Sequence, residues 1–458
     1  MNITRQSSGK RHNMRSIDRL SALPDDVICH ILSFLETKSS VATGILSRRW
    51  RFLWAHVPNL DFVPRCSKIV TRVMFRHRVQ SLDTFRLFYT FAWNDHEIET
   101  WITTAVSRNV KNIAIKLYYQ PVLHVCLFTC KTLIDLSLDE ICLSVVLNVA
   151  VCLPCLKKLR LNSIRLDGDE SLPRLLSGCP VLEELILDGI IDCKSICCNI
   201  SSPTIKRLEV VFCQFNGFGV HRDCRLEINT PALRYLQLNV HSFNAISAQM
   251  LPSLIEADIR SNVVLDFLDD LNNVKCLKYV QPVCVRTFTV SFCILLVLPI
   301  VIRIYLSITF CSFPTECLVI KVNRLQGLFS ASTIKFDNLT KLELACDWRF
   351  LSYFLENADN LEVIIFCKQV DIDLNCWMEP RQVPACLLSH LRTVRIDQFG
   401  STEQVFMMVK YILRNAKVLE KMEIYSEHHG TDFKAKFDAL KRISTFQRGS
   451  EACELVFH

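Results

Sequence analysis

One pattern constrains the fold of this chain more than any other feature. It has the form L-x-x-L-x-L, with any aliphatic residue allowed at each L. It appears as VKNIAI from Val110, LIDLSL from Leu133, LKKLRL from Leu156, LEELIL from Leu182, IKRLEV from Ile205 and LRYLQL from Leu233. LIEADI from Leu254 is a weaker copy and LKYV from Leu277 a fragment. Successive copies start 21 to 28 residues apart. LTKLEL from Leu339, LEVIIF from Leu361, LRTVRI from Leu391 and LEKMEI from Leu419 resume the pattern, and LDTFRL from Leu82 reads as a degenerate first copy.

A repeat of roughly 20–29 residues with this motif is the mark of a leucine-rich repeat. The alternation L-x-L makes a short strand with one face turned inward. The leading L enters the same core. Strands stack in parallel, and the return segments form the convex side. Some returns have helical periodicity. HEIETWITTAVSRNV sets Ile98, Trp101, Ile102, Ala105 and Val106 on one face, and ESLPRLLSGCP precedes the copy at Leu182. An ordinary α/β sheet would need longer crossovers and would not require a motif at every strand. The x positions face solvent on the concave side. They are basic in one copy (Lys157, Lys158, Arg160) and mixed acidic in the next (Glu183, Glu184, Ile186). That variation suits recognition of a protein or a small ligand better than a uniform basic track for nucleic acid.

Composition narrows the function. Half of the 458 residues are hydrophobic and 22% are charged, which provides core material and argues against global disorder. A net charge of +7 is small for a nucleic-acid binder of this length. Glycine occurs 11 times, and no phosphate-cradling loop of the GxxxxGK[ST] or GxGxxG type is present, nor a GxSxG elbow or an HExxH helix. No catalytic residue, metal or cofactor is expected. The 23 cysteines lie mostly in apolar periodic segments and read as reduced core thiols, which places the chain in the nucleus or the cytoplasm. Cys152 and Cys155 have ligand spacing without a second pair, and Cys193, Cys197 and Cys198 form an equally incomplete set.

Before the repeats stands a small apolar module. The first 15 residues are polar and basic and read as a flexible arm. Pro24 suits the first turn of a helix, and Asp25 and Asp26 suit its positive end. Val27, Ile28, Ile31, Leu32 and Leu35 form one stripe, ETKSS reads as a break, and Val41, Ala42, Ile45 and Leu46 begin a second helix. SRRWRFLW closes the module. Two or three short helices in about 40 residues bury little surface, so part of their apolar side chains is expected to belong to a partner.

The stretch LPDDVICHILSFL together with SRRWRFLW resembles an F-box, with Glu36 where many plant members have proline. The C-terminal stretches LLSHLRTV, VKYILRNAKVLEKMEI and FQRGSEACELVF resemble the FBD module of plant F-box/leucine-rich-repeat proteins. That segment reads strand, helix, strand, helix, short strand, with Thr402 or Ser401 as cap of the first helix and Gln404 or Glu403 nearby. The fold expected is an α/β solenoid: a helical F-box over residues 16–62, a leucine-rich-repeat horseshoe over 80–383, and an α+β FBD segment over 384–458. The resemblance implies a non-catalytic substrate-recognition subunit of a Skp-cullin-F-box ubiquitin ligase. Its F-box would dock on the Skp-type adaptor, and through it on a cullin scaffold, while the repeats bind a target protein. Leu23, Pro24, Ile28, Ile31, Leu32, Leu46 and Trp50 would lie at or beneath that adaptor interface. The rival reading is a leucine-rich-repeat scaffold with a non-functional F-box.

The rhythm fails over 280–315. Thr287 to Ile302 is uncharged, but Pro299 interrupts it and Arg303 follows, so the run falls short of the roughly 20 apolar residues a spanning helix needs. A membrane segment, one or two buried repeat strands, and a retained intron are the three readings it allows.

Overall fold

A computed structural model describes residues 20, 22–63, 67–89, 95–117, 125–142, 150–164, 169–189, 197–212, 225–240, 245–249, 251–261, 271, 273–280, 335–345, 349–367, 377–380, 382–399, 402–426 and 433–458. The basic arm of residues 1–15, the three readings of the 280–315 stretch, Cys193 and Ser401 lie outside these residues.

The L-x-L alternation becomes strands wherever it is described. They are β1 (Asn59–Phe62), β2 (Thr84–Tyr89), β3 (Asn112–Leu117), β4 (Asp135–Asp139), β5 (Lys158–Asn162), β6 (Glu184–Asp188), β7 (Cys197–Ser201), β8 (Arg207–Phe212), β9 (Arg225–Asn229) and β10 (Tyr235–Val240). Then come β11 (Ala245–Ala248), β12 (Glu256–Ser261), β13 (Cys276–Val280), β14 (Lys341–Ala345), β15 (Val363–Cys367), β16 (Thr393–Phe399), β17 (Lys421–Ser426) and β18 (Glu454–Phe457). Fifteen of them, all but β7, β9 and β11, form one sheet in chain order, and every pairing in it is parallel.

The register explains why the motif repeats. Leu60, Phe85, Ile113, Leu136, Leu159, Leu185, Leu208, Leu236, Ala257, Leu277, Leu342, Ile364, Val394, Met422 and Leu455 lie side by side across successive strands. Thus the second L of each motif joins one continuous inward column. The leading residues Val110, Leu133, Leu156, Leu182, Ile205 and Leu233 are fully buried behind it. A strand with one side chain out of place would break the column on both sides, because a one-residue slip turns every side chain over.

Helices back the sheet where the returns have helical period. They are α3 (Ser67–Arg76), α4 (Asp95–Ser107), α5 (Ser171–Ser177), α6 (Arg349–Asn357), α7 (Ala385–Ser389), α8 (Glu403–Asn415) and α9 (Phe433–Ser444), after α1 (Asp25–Leu32) and α2 (Thr37–Ala42) of the N-terminal module. As expected, α4 buries Ile98, Trp101, Ile102 and Ala105. Other returns form strands. Between β6 and β12 they supply β7, β9 and β11, a second parallel sheet of three strands. Cys198 and Ile200 of β7 align with Leu226 and Ile228 of β9 and are buried. The helical reading of the returns therefore holds for part of the array only. A return with alternating apolar residues packs as a strand.

The sheet runs past the repeats at both ends. The copy at Leu82 is a complete strand. The last four residues of the 16–62 segment, β1, already belong to the repeat sheet, and β16 to β18 of the C-terminal segment continue it. β13 pairs directly with β14, Cys276 against Lys341 and Leu277 against Leu342, so no strand lies between them.

The C-terminal helix start is also built differently. Thr402 is the N-cap of α8 by position but makes no side-chain capping bond. Its neighbours are used for packing instead. The Gln404 side-chain oxygen accepts from the Trp377 backbone N–H at 3.0 Å, and Glu403 makes a two-pronged pair with Arg442 of α9 at 2.5 and 2.6 Å.

Candidate docking site

The N-terminal module has a core of its own, separate from the solenoid core. Ile28 and Leu32 of α1 meet Trp50, Leu53 and Val57 of the 3₁₀ segment Trp50–His56 and its end, with Leu23 and Cys29 at the margin. Pro24 stands one place earlier than a first-turn residue, as the N-cap, with φ −58° and ψ 152°. Asp25 and Asp26 occupy the first turn. Arg49 ties the two ends of the module together: its Nε donates to Asp25 Oδ1 at 2.7 Å and its Nη2 to the Leu23 carbonyl at 2.6 Å. Thus the arginine pair before Trp50 is partly structural. The stretch expected as a break is helical from Thr37 onward. Thr37 is buried because its hydroxyl accepts the Asp61 backbone N–H at 2.7 Å, and this fastens α2 to β1.

The module's core leaves much of its apolar surface uncovered. Val27 and Ile31, one position before Ile28 and Leu32, form a second stripe of α1 and are exposed, as is Leu35. Phe34 is 76% exposed, Ile45 89%, Leu46 64% and Phe52 58%. Exposed apolar side chains gathered on so small a module are the mark of an interaction surface.

The seven residues singled out by sequence divide. Ile28, Leu32 and Trp50 are buried and support the module from within. Leu23 is half-buried. Pro24, Ile31 and Leu46 are exposed. Sequence reasoning missed Phe34, Ile45 and Phe52 as surface residues. The signal was present, since each is a large apolar residue outside the buried stripe.

A polar seam joins this module to the repeats. His77 is 5% exposed, its Nε2 lies 2.7 Å from the Val57 carbonyl, and Arg108 Nη1 lies 3.1 Å from its Nδ1. The ring is neutral, donating through Nε2 and accepting at Nδ1. Burial pushes the imidazole from its ordinary 6.5 down to about 4, against the pull of the Val57 carbonyl, and the nearby charges of Arg108 and His56 add to the depression. The native state therefore binds fewer protons than the unfolded chain between these two values. Its stability should be intact above pH 6.5, fall as pH drops through the window and level off below about 4. The loss from this group is about 3 kcal/mol. Urea midpoints at pH 7 and pH 4.5 should show the advantage of wild type over His77→Gln shrinking at the lower pH. A gap that does not change with pH rules the linkage out.

On the concave face the alternating charges largely answer one another. Arg160 reaches Asp135 at 2.9 Å and Glu184 at 3.4 Å, and Lys158 reaches Glu184 at 3.0 Å. Lys116 pairs with Asp139 at 2.7 Å, and Lys206 with Glu183 at 3.3 Å. Arg207 lies over the Tyr235 ring at 3.9 Å, Arg395 over Tyr425 at 4.4 Å, and Tyr425 stacks on His458 at 4.2 Å. Each exposed pair contributes about 0–1 kcal/mol. The change of sign from copy to copy is thus partly cross-strand pairing within the sheet, as well as a surface offered to a partner. Asp188 departs from this: burial and then the charge of Asp139 push its carboxyl up.

Cys152 and Cys155 are exposed, and Cys197 and Cys198 lie in β7. Among the described residues no group of three or more His, Cys, Asp and Glu side chains is arranged to hold a metal ion. Among the same residues no helix is long and apolar enough to cross a membrane.

A small helical module with a buried apolar core and an apolar exterior, fused to a parallel repeat sheet, defines a leucine-rich-repeat protein. The F-box domain model matches residues 20–62, the repeat model of the FBD-associated F-box protein At5g56370 matches 98–254, and the FBD model matches 379–424. The FBD-associated F-box protein At5g56440 of Arabidopsis thaliana is 32% identical over 472 residues, covering 96% of this chain and all of the relative. From the same organism, the F-box/FBD/LRR-repeat protein At5g56420 is 28% identical over 461 residues (96% and 99% covered), and the F-box/FBD/LRR-repeat protein At3g26920 is 29% identical over 464 (96% of each). The chain belongs to this plant family of F-box proteins with leucine-rich repeats and a C-terminal FBD.

Proposed function

We propose that the chain is the substrate-recognition subunit of a Skp-cullin-F-box ubiquitin ligase. The observation that carries this reading is the split within the F-box: Ile28, Leu32 and Trp50 fill its core while Ile31, Phe34, Ile45, Leu46 and Phe52 remain outside it. A module this small has no use of its own for so many exposed apolar groups, whereas a helical adaptor groove does. The adaptor would link the chain to a cullin scaffold. The repeat face would hold a target protein, and the chain would supply proximity between a target lysine and a ubiquitin-conjugating enzyme carried by the assembly. Catalysis would rest with that enzyme. On the reduced-thiol reading of the cysteines, this work would take place in the nucleus or the cytoplasm.

The test is a pull-down with a purified Skp-type adaptor. Wild type should be retained. Ile31→Ala with Leu46→Ala should lose about tenfold or more in affinity, the expected scale for two central apolar contacts, with an unchanged circular dichroism spectrum. Wild-type protein that ignores the adaptor would sink the proposal and favour a repeat scaffold whose F-box is non-functional.

A further inference from the structure

The helix that follows the F-box lies in a basic stretch of the sequence. α3 lies within VPRCSKIVTRVMFRHRVQSL, residues 63–82, which contains five Lys or Arg and no Asp or Glu. Val70 and Met74 turn inward. The outer side has Lys68, Arg72, Arg76 and, just beyond the helix, Arg78, all exposed, together with Ile69 and a Phe75 that is 89% exposed. None of these four cations forms an ion pair among the described residues, whereas many of the Lys and Arg on the repeat strands do. Asp95 and Glu97 on the adjacent α4 pair with none of them.

The geometry points to α3 as a second docking surface, one that takes an acidic protein segment with an apolar side chain. Charge complementarity selects this occupant over the alternatives. The N-terminal arm has Arg5, Lys10, Arg11, Arg15 and Arg19 and would be repelled. A second copy meeting the same face would set four cations against four. An acidic segment neutralises them, and its apolar side chain covers Phe75 and Ile69. The surface adjoins the F-box, because the Arg78 backbone N–H donates to the Ala55 carbonyl at 2.9 Å and His77 holds the Val57 carbonyl at 2.7 Å. The inference stands whether or not the F-box engages an adaptor.

The test uses the full chain and a fluorescein-labelled 16-residue peptide of Glu and Asp containing one Phe and two Leu, read by fluorescence anisotropy. Saturable binding is expected. Arg72→Glu with Arg76→Glu should weaken it by about tenfold or more, and Phe75→Ser by about fivefold, the scale of anchor residues in interfaces. Both sites are on the surface, so thermal unfolding should not move. Lys410→Glu, an exposed cation on α8 near the C-terminal end of the array, should leave binding unchanged. No saturable binding overturns the proposal. So does equal binding of a peptide without Phe and Leu, combined with indifference to Phe75→Ser, since that describes a general polyanion patch. Tighter binding of phosphatidylserine vesicles or poly(U) RNA than of the peptide also overturns it, in favour of a membrane or a nucleic acid.

Discussion

Ile28→Ala combined with Leu32→Ala is expected to unfold the F-box and leave the solenoid standing. Both side chains are buried, at 0% and 1% exposure, in a cluster whose other buried members are Trp50, Leu53 and Val57. Truncating a buried aliphatic side chain costs about 2–5 kcal/mol, so the pair removes roughly 4–10 kcal/mol if the two add. A core this small has no such reserve. The solenoid core is a separate cluster beginning at Leu60, so its transition should persist. Hydrogen exchange should show fast amides over residues 25–57 and protected amides in β4 to β10. Loss of protection in both regions would show that the F-box and the repeats unfold as one unit. This variant should also lose adaptor binding, but by a different route from Ile31→Ala with Leu46→Ala, which should keep the module folded.

Trp101→Ala should produce the largest single loss in the solenoid. Trp101 is fully enclosed in α4, and its indole N–H donates to the Thr71 hydroxyl of α3 at 3.2 Å. Removing it vacates the volume between two helices and the strands behind them, at about 3–5 kcal/mol. In a stacked array each repeat is stabilised by its neighbours, so the damage should concentrate at the N-terminal end. Urea denaturation should gain an early phase while the C-terminal strands retain their midpoint. Trp101→Phe, which keeps most of the ring, should recover more than half of the loss. A variant with wild-type denaturation would show that α4 is not a stabilising element.

Much of this architecture can be read from side-chain order. The motif places an aliphatic residue at every second strand position, and the register turns those residues into one column from Leu60 to Leu455. Even Ala257 in the weak copy at Leu254 keeps its place, because a strand between two good neighbours needs only the right parity. The returns were harder to read. CCNIS, RLEIN and AISA alternate too, but each is only four or five residues long, and the choice between helix and strand there depends on what packs behind it. Thr402 takes the cap position of α8, as its spacing indicates, but the roles of its neighbours are not local. Glu403 and Gln404 have partners more than 25 residues away, in Arg442 and Trp377, and nothing local announces them.

The candidate site shows the same division. By itself the sequence determined that the first 62 residues hold a helical module with more apolar side chains than it can bury, and that a repeat array follows. It could not separate Ile28 from Ile31, or Trp50 from Phe52, because amphipathic spacing reports a stripe and not its width. Only the tertiary structure decided which edge of the stripe is covered, since the answer depends on where the 3₁₀ segment Trp50–His56 lands against α1. It also decided that β13 meets β14 directly and that the alternating charges of the repeats pair across strands. Both are contacts between residues distant in sequence, formed by the stacking of complete repeats.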